Sequence, residues 1–447
     1  MPQAPVSVTA PNPASGGEAT RIVSIDVLRG LVITLMVFVN DLADAPHAPS
    51  WLKHVGINAD AMRLPDVVFP AFLFIAGVSI PLAFGRALAQ GQTRRQLLWK
   101  VLVRTCALLV MGVVMVNMEE HEPWAQGRWG VLAYVAMFLA FAMVPGQPGR
   151  ARAILHVGRI VGGVALVALV LAYRTADGKM MVLGPLFDPA DTVWLRHSWW
   201  GILGLIGWAY LVASLVYLAV GHRREWLVGA TGCLMLLYVA AEANLPAQLA
   251  SRSWLAWAMP VLLALEAGFG WVNSHVGIGG TLGSLASITA AGCCLGSILA
   301  ANSELRQPAQ RLRWALVFAV GLFLAGVLLD APYGINKIRG TPSWCLFCAA
   351  LTTVAWALLY WLLDVRGVRG WSRLVQPAGA NPLLAYLLHP FFGFLVGLAG
   401  ERALGIVFFY RDPRLPAVIS VLGSLVMAFA VVQATGWIAR AGYRLKV

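Results

Sequence analysis

Three groups of residues have types and spacings that could do chemistry. In the first, His54 precedes Asp66 by twelve residues and follows Asn40 by fourteen. Imidazole is the natural proton acceptor near neutral pH, and an adjoining carboxylate would fix its tautomer and stabilise the imidazolium. These three could converge because they flank one loop between neighbouring helix ends; His47 is a second loop candidate. In the second group, His389 lies eight residues after Asn381 and just before Pro390. Eight residues of helix rise about 12 Å, which would place this imidazole near mid-membrane. The bland alternative is a hydrogen bond between helices. The third group is Asn336-Lys337, in a polar stretch before an apolar run. Asp26 and Arg29, three apart, either pair at a helix end or leave Arg29 to hold an anion.

The elements that must position these residues are membrane helices. The chain has 447 residues, 59% of them hydrophobic and only 12% charged, against about 25% charged in soluble domains. Repeated apolar runs of about 20 residues each match the hydrocarbon thickness. The fold class expected is therefore an all-α polytopic membrane protein, a bundle of about twelve transmembrane helices with both termini cytoplasmic. The expected spans are 22–41, 67–85, 97–117, 130–145, 157–173, 199–220, 226–242, 281–301, 313–330, 343–363, 382–399 and 415–437. Residues 1–20, rich in Pro, Ser, Ala and Gly, read as a disordered cytoplasmic tail, and 21–447 as a single domain.

Loop charge assigns the sides. Arg86, Arg94, Arg95 and Lys100 mark one cytoplasmic loop, and Arg150, Arg152 and Arg159 a second. Arg366, Arg369 and Arg373 mark another, while the stretches 41–66, 119–122 and 177–191 are mixed or acidic and face outward. Residues 254–271 are apolar but carry Pro260 and Glu266. Treating them as non-spanning keeps Arg306, Arg311 and Arg313 inside with the other basic loops. The net charge of +13 is then a property of cytoplasmic loops, and no nucleic-acid partner is expected. All six cysteines lie in apolar runs, so Cys345 and Cys348 read as packing residues, and no metal is expected.

The order of the motifs carries more than any one of them. Arg21-x-x-Ser24-x-Asp26-x-x-Arg29-Gly30 is followed by Val39-Asn40, a loop histidine, and Asp66-Val67-Val68-Phe69-Pro70. Then come Gly130-Val131-Leu132, Gly280-Thr281-Leu282-Gly283-Ser284, Asn336-Lys337, and Gly379-Ala380-Asn381 through His389. This succession resembles the heparan-α-glucosaminide N-acetyltransferase family, whose catalytic histidine lies a little before the aspartate of D-x-V-F-P. His54 has nearly that distance and takes the role, although His47-Ala48 and Trp51 have the family's local look. After Gly130-Val131-Leu132 the family often continues Gln-Arg, where this chain has Ala133-Tyr134.

The resemblance implies a multi-pass protein of the bacterial inner (cytoplasmic) membrane. Acetyl-CoA, as co-substrate, would enter from the cytoplasm, and glucosamine or a related amino sugar would be acetylated at the periplasmic side. Contact with membrane lipid follows from the fold class, and a homodimer from analogy. His54, Asp66, Asn40 and His389 are the catalytic candidates; Asp41, Trp51, Asn336 and Lys337 those for the amino sugar; Arg29, Asn381 and Arg104 those for acetyl-CoA. His54 as general base and an acetyl-histidine intermediate both remain open. The alternatives are O-acetylation of a periplasmic glycan and, in another class, a sugar permease.

Overall fold

The computed structural model describes residues 22–118, 123–143, 149–174, 179–180, 200–301 and 303–445. The tail 1–20, the loop 119–122 and, apart from 179–180, the stretch 177–191 lie outside them. The described residues form helices α1 (Val23–Ala43), α2 (Leu64–Ala89), α3 (Arg94–Val116), α4 (Pro123–Ala140) and α5 (Arg150–Leu171). After these come α6 (Gly201–Val220), α7 (Arg224–Glu242), α8 (Met259–His275) and α9 (Ile278–Leu299). The remaining long helices are α10 (Pro308–Tyr333), α11 (Pro342–Val365), α12 (Pro382–Leu398) and α13 (Ala417–Arg440), with short helices at Leu245–Ala250, Gln376–Ala380 and Glu401–Val407. Among the described residues 10 helices are long and apolar enough to cross a membrane. Two shorter apolar helices, Gly127–Ala140 and Pro382–Leu398, coincide with the other two expected spans.

The bundle is built around α9, whose apolar window is 94% buried. Its backbone meets that of α2 directly. A Cβ on Gly292 would stand 2.0 Å from the Phe74 carbonyl oxygen, and one on Gly77 1.9 Å from that of Thr289. Small residues permit this approach where lipid supplies no hydrophobic drive for helix pairing. A similar contact joins α1 to the short helix Gln376–Ala380, since a Cβ on Gly379 would meet the Asp26 carbonyl at 2.1 Å. That contact lets Arg29 Nη1 donate to the Gly379 carbonyl at 3.3 Å, two residues before Asn381.

Tertiary contacts sort the loops into two ends. At one end, Asn336 binds the backbone of residues 56–59, and Arg411 binds Asp41. At the other, Arg94 reaches the Leu218 carbonyl, Met143 N–H bonds the Arg444 carbonyl, and Asp364 caps Val23 and Ser24. Arg311 meets Tyr360 there as well, so the basic loops collect at one end of the bundle. Gly279 lies against Ala241 and Tyr238. The chain between α7 and α9 thus leaves and returns at the same end of the bundle. Trp271 of α8, with Trp254 and Trp257 just before that helix, is exposed, as suits an interfacial helix.

By the positive-inside rule the basic end is expected to face the cytoplasm. With the native cysteines removed, Ser50→Cys is expected to react with an impermeant thiol reagent in intact cells, and Gln92→Cys only after lysis. Protection at position 50 with labelling at 92 would invert the orientation.

Candidate active site

Asp66 owes its position to where α2 begins. Arg63 caps the helix, Pro65 opens its first turn, and Asp66 stands at the third position, where an acidic side chain bonds back to the cap. Its Oδ2 accepts the Arg63 N–H at 3.0 Å and the Val55 N–H at 3.4 Å. Its Oδ1 accepts from His54 Nδ1 at 2.6 Å. The carboxylate is 0% exposed and the His54 side chain 43% exposed. Donation from Nδ1 leaves the lone pair on Nε2, the state a base requires. The Trp344 indole N–H holds the Asp66 carbonyl at 3.1 Å, fixing this first turn to α11.

Lys337 completes the group, with Nζ 3.2 Å from His54 Nδ1 and 3.3 Å from Nε2. Because Nδ1 is committed to Asp66, the ammonium is set to donate to Nε2. Burial pulls Lys337 below the ordinary lysine value, an effect the Asp66 charge partly opposes. The neighbouring Asn336 is buried, and its Nδ2 donates to the Gly56, Ile57 and Ala59 carbonyls at 3.1, 3.0 and 2.8 Å. Its Oδ1 accepts the Arg339 N–H. Its amide is taken up in binding the His54 loop to the Lys337 loop. Trp51 is 60% exposed on that loop.

Asp41 and His389, 348 residues apart, form a second group. His389 Nε2 lies 2.9 Å from Asp41 Oδ1, which also accepts from Arg411 Nη2 at 2.6 Å. The Tyr410 hydroxyl donates to Asp41 Oδ2 at 2.9 Å, and Arg411 Nη1 reaches Asp44. Burial and then the Asp41 charge push the Tyr410 phenol up, so it stays a donor. His389 therefore lies against the third-last residue of α1, nearer the His54 end than the expected mid-membrane depth. Asn40, beside Asp41, is half-buried. Sequence reasoning missed Tyr410, Arg411 and Trp344. The signal for Arg411 was a cation within the aromatic run Phe408-Phe409-Tyr410, where a charge near an apolar phase calls for a named partner.

A cavity of about 330 Å³ opens among α1, α2, α3, α6 and α12. Arg29 and Arg104 both line it, with Ser79, Tyr210, Phe72 and Met36. Arg29 donates to Ser79 at 2.7 Å, and pairs with Asp26 at 3.2 Å as the short spacing suggested. Arg104 lies over the Tyr210 ring. Asn381 is buried between the cavity residues Ala380 and Pro382, and both polar atoms of its side chain are without a partner among the described residues. An unmet buried amide costs about 1–3 kcal/mol, which a ligand group could recover.

The sequence model of DUF5009, a domain of unknown function, matches residues 21–245, just over half of the chain. The chain belongs to the DUF5009 family. The DUF5009 match takes in Arg29, Asn40, His54, Asp66 and Arg104, and ends before Lys337 and His389. The chain is also 35% identical over 135 residues to the heparan-α-glucosaminide N-acetyltransferase of Mus musculus, covering 28% of this chain and 20% of that protein. With the enzyme of the same name from Homo sapiens it is 37% identical over 98 residues, 22% of this chain and 14% of the relative. The alignments thus span a fifth or less of the length of these curated relatives.

Proposed function

We propose that this chain is a membrane-embedded acetyltransferase that moves acetyl from acetyl-CoA to the amine of glucosamine or a related amino sugar. The observation that carries the reading is the His54–Asp66 pair, buried at the carboxylate and open at the imidazole, with a cationic cavity on the other side of the bundle. The similarity to heparan-α-glucosaminide N-acetyltransferases supports it. A cavity of about 330 Å³ is at the small end of ligand pockets. It suits the slender pantetheine arm of acetyl-CoA, and leaves the nucleotide outside. Arg29, Arg104 and Asn381 would hold the co-substrate. The cavity reaches Phe72 on α2, six residues from Asp66 and about 9 Å of helix rise away.

An ammonium group is no nucleophile, so the acceptor must lose a proton to attack a thioester. In this reading the amine displaces Lys337 from His54, and Nε2 takes its proton as nitrogen bonds the acetyl carbon. The carbon–sulfur bond breaks, and the imidazolium, stabilised by Asp66, returns the proton to the departing thiolate. Asn40 is the candidate donor to the developing oxyanion.

The test is purified protein in detergent with acetyl-CoA and glucosamine, reading N-acetylglucosamine by mass spectrometry and free thiol in parallel. Equal yields of both are expected. No gradient exists in a micelle, so product there excludes a pure permease; absence of thiol release with every amino sugar tried would overturn the proposal.

A further inference from the structure

The helix α5 has its packing in the bundle against α4 and turns most of its length outward; Ile154, Ile160, Val164 and Val167 are all more than half exposed. Between it and α3 lies a second cavity, a groove of about 600 Å³ separate from the cationic cavity above. Its floor and walls are apolar: Ala107 and Val110 from α3, and Ile160, Gly163, Leu166 and Val167 from α5. A Cβ built on Gly163 would meet nothing within 4 Å, whereas one on the adjacent Gly162 would strike Ala140 and Ala136. One glycine thus lets α5 approach α4, while the next leaves the groove open.

The groove is not apolar throughout. At the end that carries the basic loops it is bounded by His156 and Arg159. Arg159 is nine residues into α5, about 13 Å along the helix, where an arginine facing hydrocarbon is costly and marks a functional position by default. Its Nε donates to the carbonyl of Ala140, the last residue of α4, at 3.2 Å. Among the described residues no carboxylate pairs with Arg159 or His156.

We propose that this groove binds an anionic phospholipid, with an acyl chain along Val110, Gly163 and Val167 and the phosphate against His156 and Arg159. The shape asks for a flexible chain and the cations for a negative group at one level, which together describe such a lipid. A helix from a second copy would fill the channel and leave the two cations unmatched. Basic pockets between helices on the cytoplasmic side recognise anionic headgroups in this way.

The test uses full-length protein in micelles doped with phosphatidylglycerol or phosphatidylcholine, reading retained lipid by native mass spectrometry. The wild type is expected to retain phosphatidylglycerol preferentially. Arg159→Gln should reduce that preference about fivefold, the effect of about 1 kcal/mol per basic residue, and leave phosphatidylcholine retention unchanged. Gly163→Phe, entering open space, should lower retention of both lipids while α-helical content stays at the wild-type level. Retention unaffected by both substitutions would place the lipid elsewhere and overturn the proposal. So would competition by inorganic phosphate alone, which would make the site one for a free anion. A change of oligomeric state in Gly163→Phe with lipid retention intact would make the groove a protein interface, and would equally overturn it.

Discussion

His54→Ala is expected to lower acetyl transfer by about 10²–10⁴ while acetyl-CoA affinity and folding stay near wild type. The imidazole is the exposed member of its pair and sits in a loop whose backbone is held by Asn336, so its removal opens Asp66 Oδ1 to water while Oδ2 keeps the Arg63 and Val55 N–H groups. Asp66→Asn should be as damaging for a different reason. An amide can donate to Nδ1 where the carboxylate only accepts, which moves the proton to Nε2 and removes the base; a tautomer error of this kind costs about 10⁴ in a related triad. Product formation with glucosamine, beside calorimetric acetyl-CoA affinity, reads both variants. His47 is exposed, and His47→Ala should act as wild type. An inactive His47→Ala with an active His54→Ala would reassign the base, and activity in both would end the histidine mechanism.

Asp41→Ala is expected to destabilise the protein by about 3 kcal/mol, the lower end for breaking a buried ion pair. The carboxylate is 0% exposed and accepts from His389, Arg411 and Tyr410. Its loss would leave the Tyr410 phenol and the His389 imidazole without this acceptor, and Arg411 with Asp44 alone. Arg411, at 19% exposed, keeps some solvent, which sets the estimate low. Arg411→Met should also destabilise, by removing the guanidinium from the buried carboxylate and leaving it His389 and Tyr410. The double variant Asp41→Leu, Arg411→Met should recover part of the combined loss, because neighbours in one network do not add. Thermal unfolding in micelles measures all three. Single variants that melt with the wild type would show that the group does not hold α1, α12 and the 409–411 turn together. His389→Ala, which removes a partner of Asp41, should then lose both stability and turnover, unlike His54→Ala.

The helical runs were legible because membrane burial is written locally, as about 20 apolar residues in a row. The His54–Asp66 pair was legible for a local reason as well. Asp66 opens α2 behind Arg63 and Pro65, and a short loop returns His54 to the same helix end. Asp26 and Arg29 follow the same logic, being one helical turn apart.

What the sequence determined by itself was therefore the set of spans, the basic end and the pairs close along the chain. Only the tertiary structure decided which distant residues share a buried charge. It gave Asp41 to His389 and Arg411, put Lys337 on the imidazole of His54, and made Asn336 a clamp between two loops. It also set Arg29 and Arg104 on one cavity wall. The physical reason is that hydropathy and helical period depend on neighbours in the chain. The partner of a buried ion depends on where two helices approach, and that is fixed by glycine contacts such as Gly77 with Thr289 and Gly379 with Asp26, hundreds of residues apart.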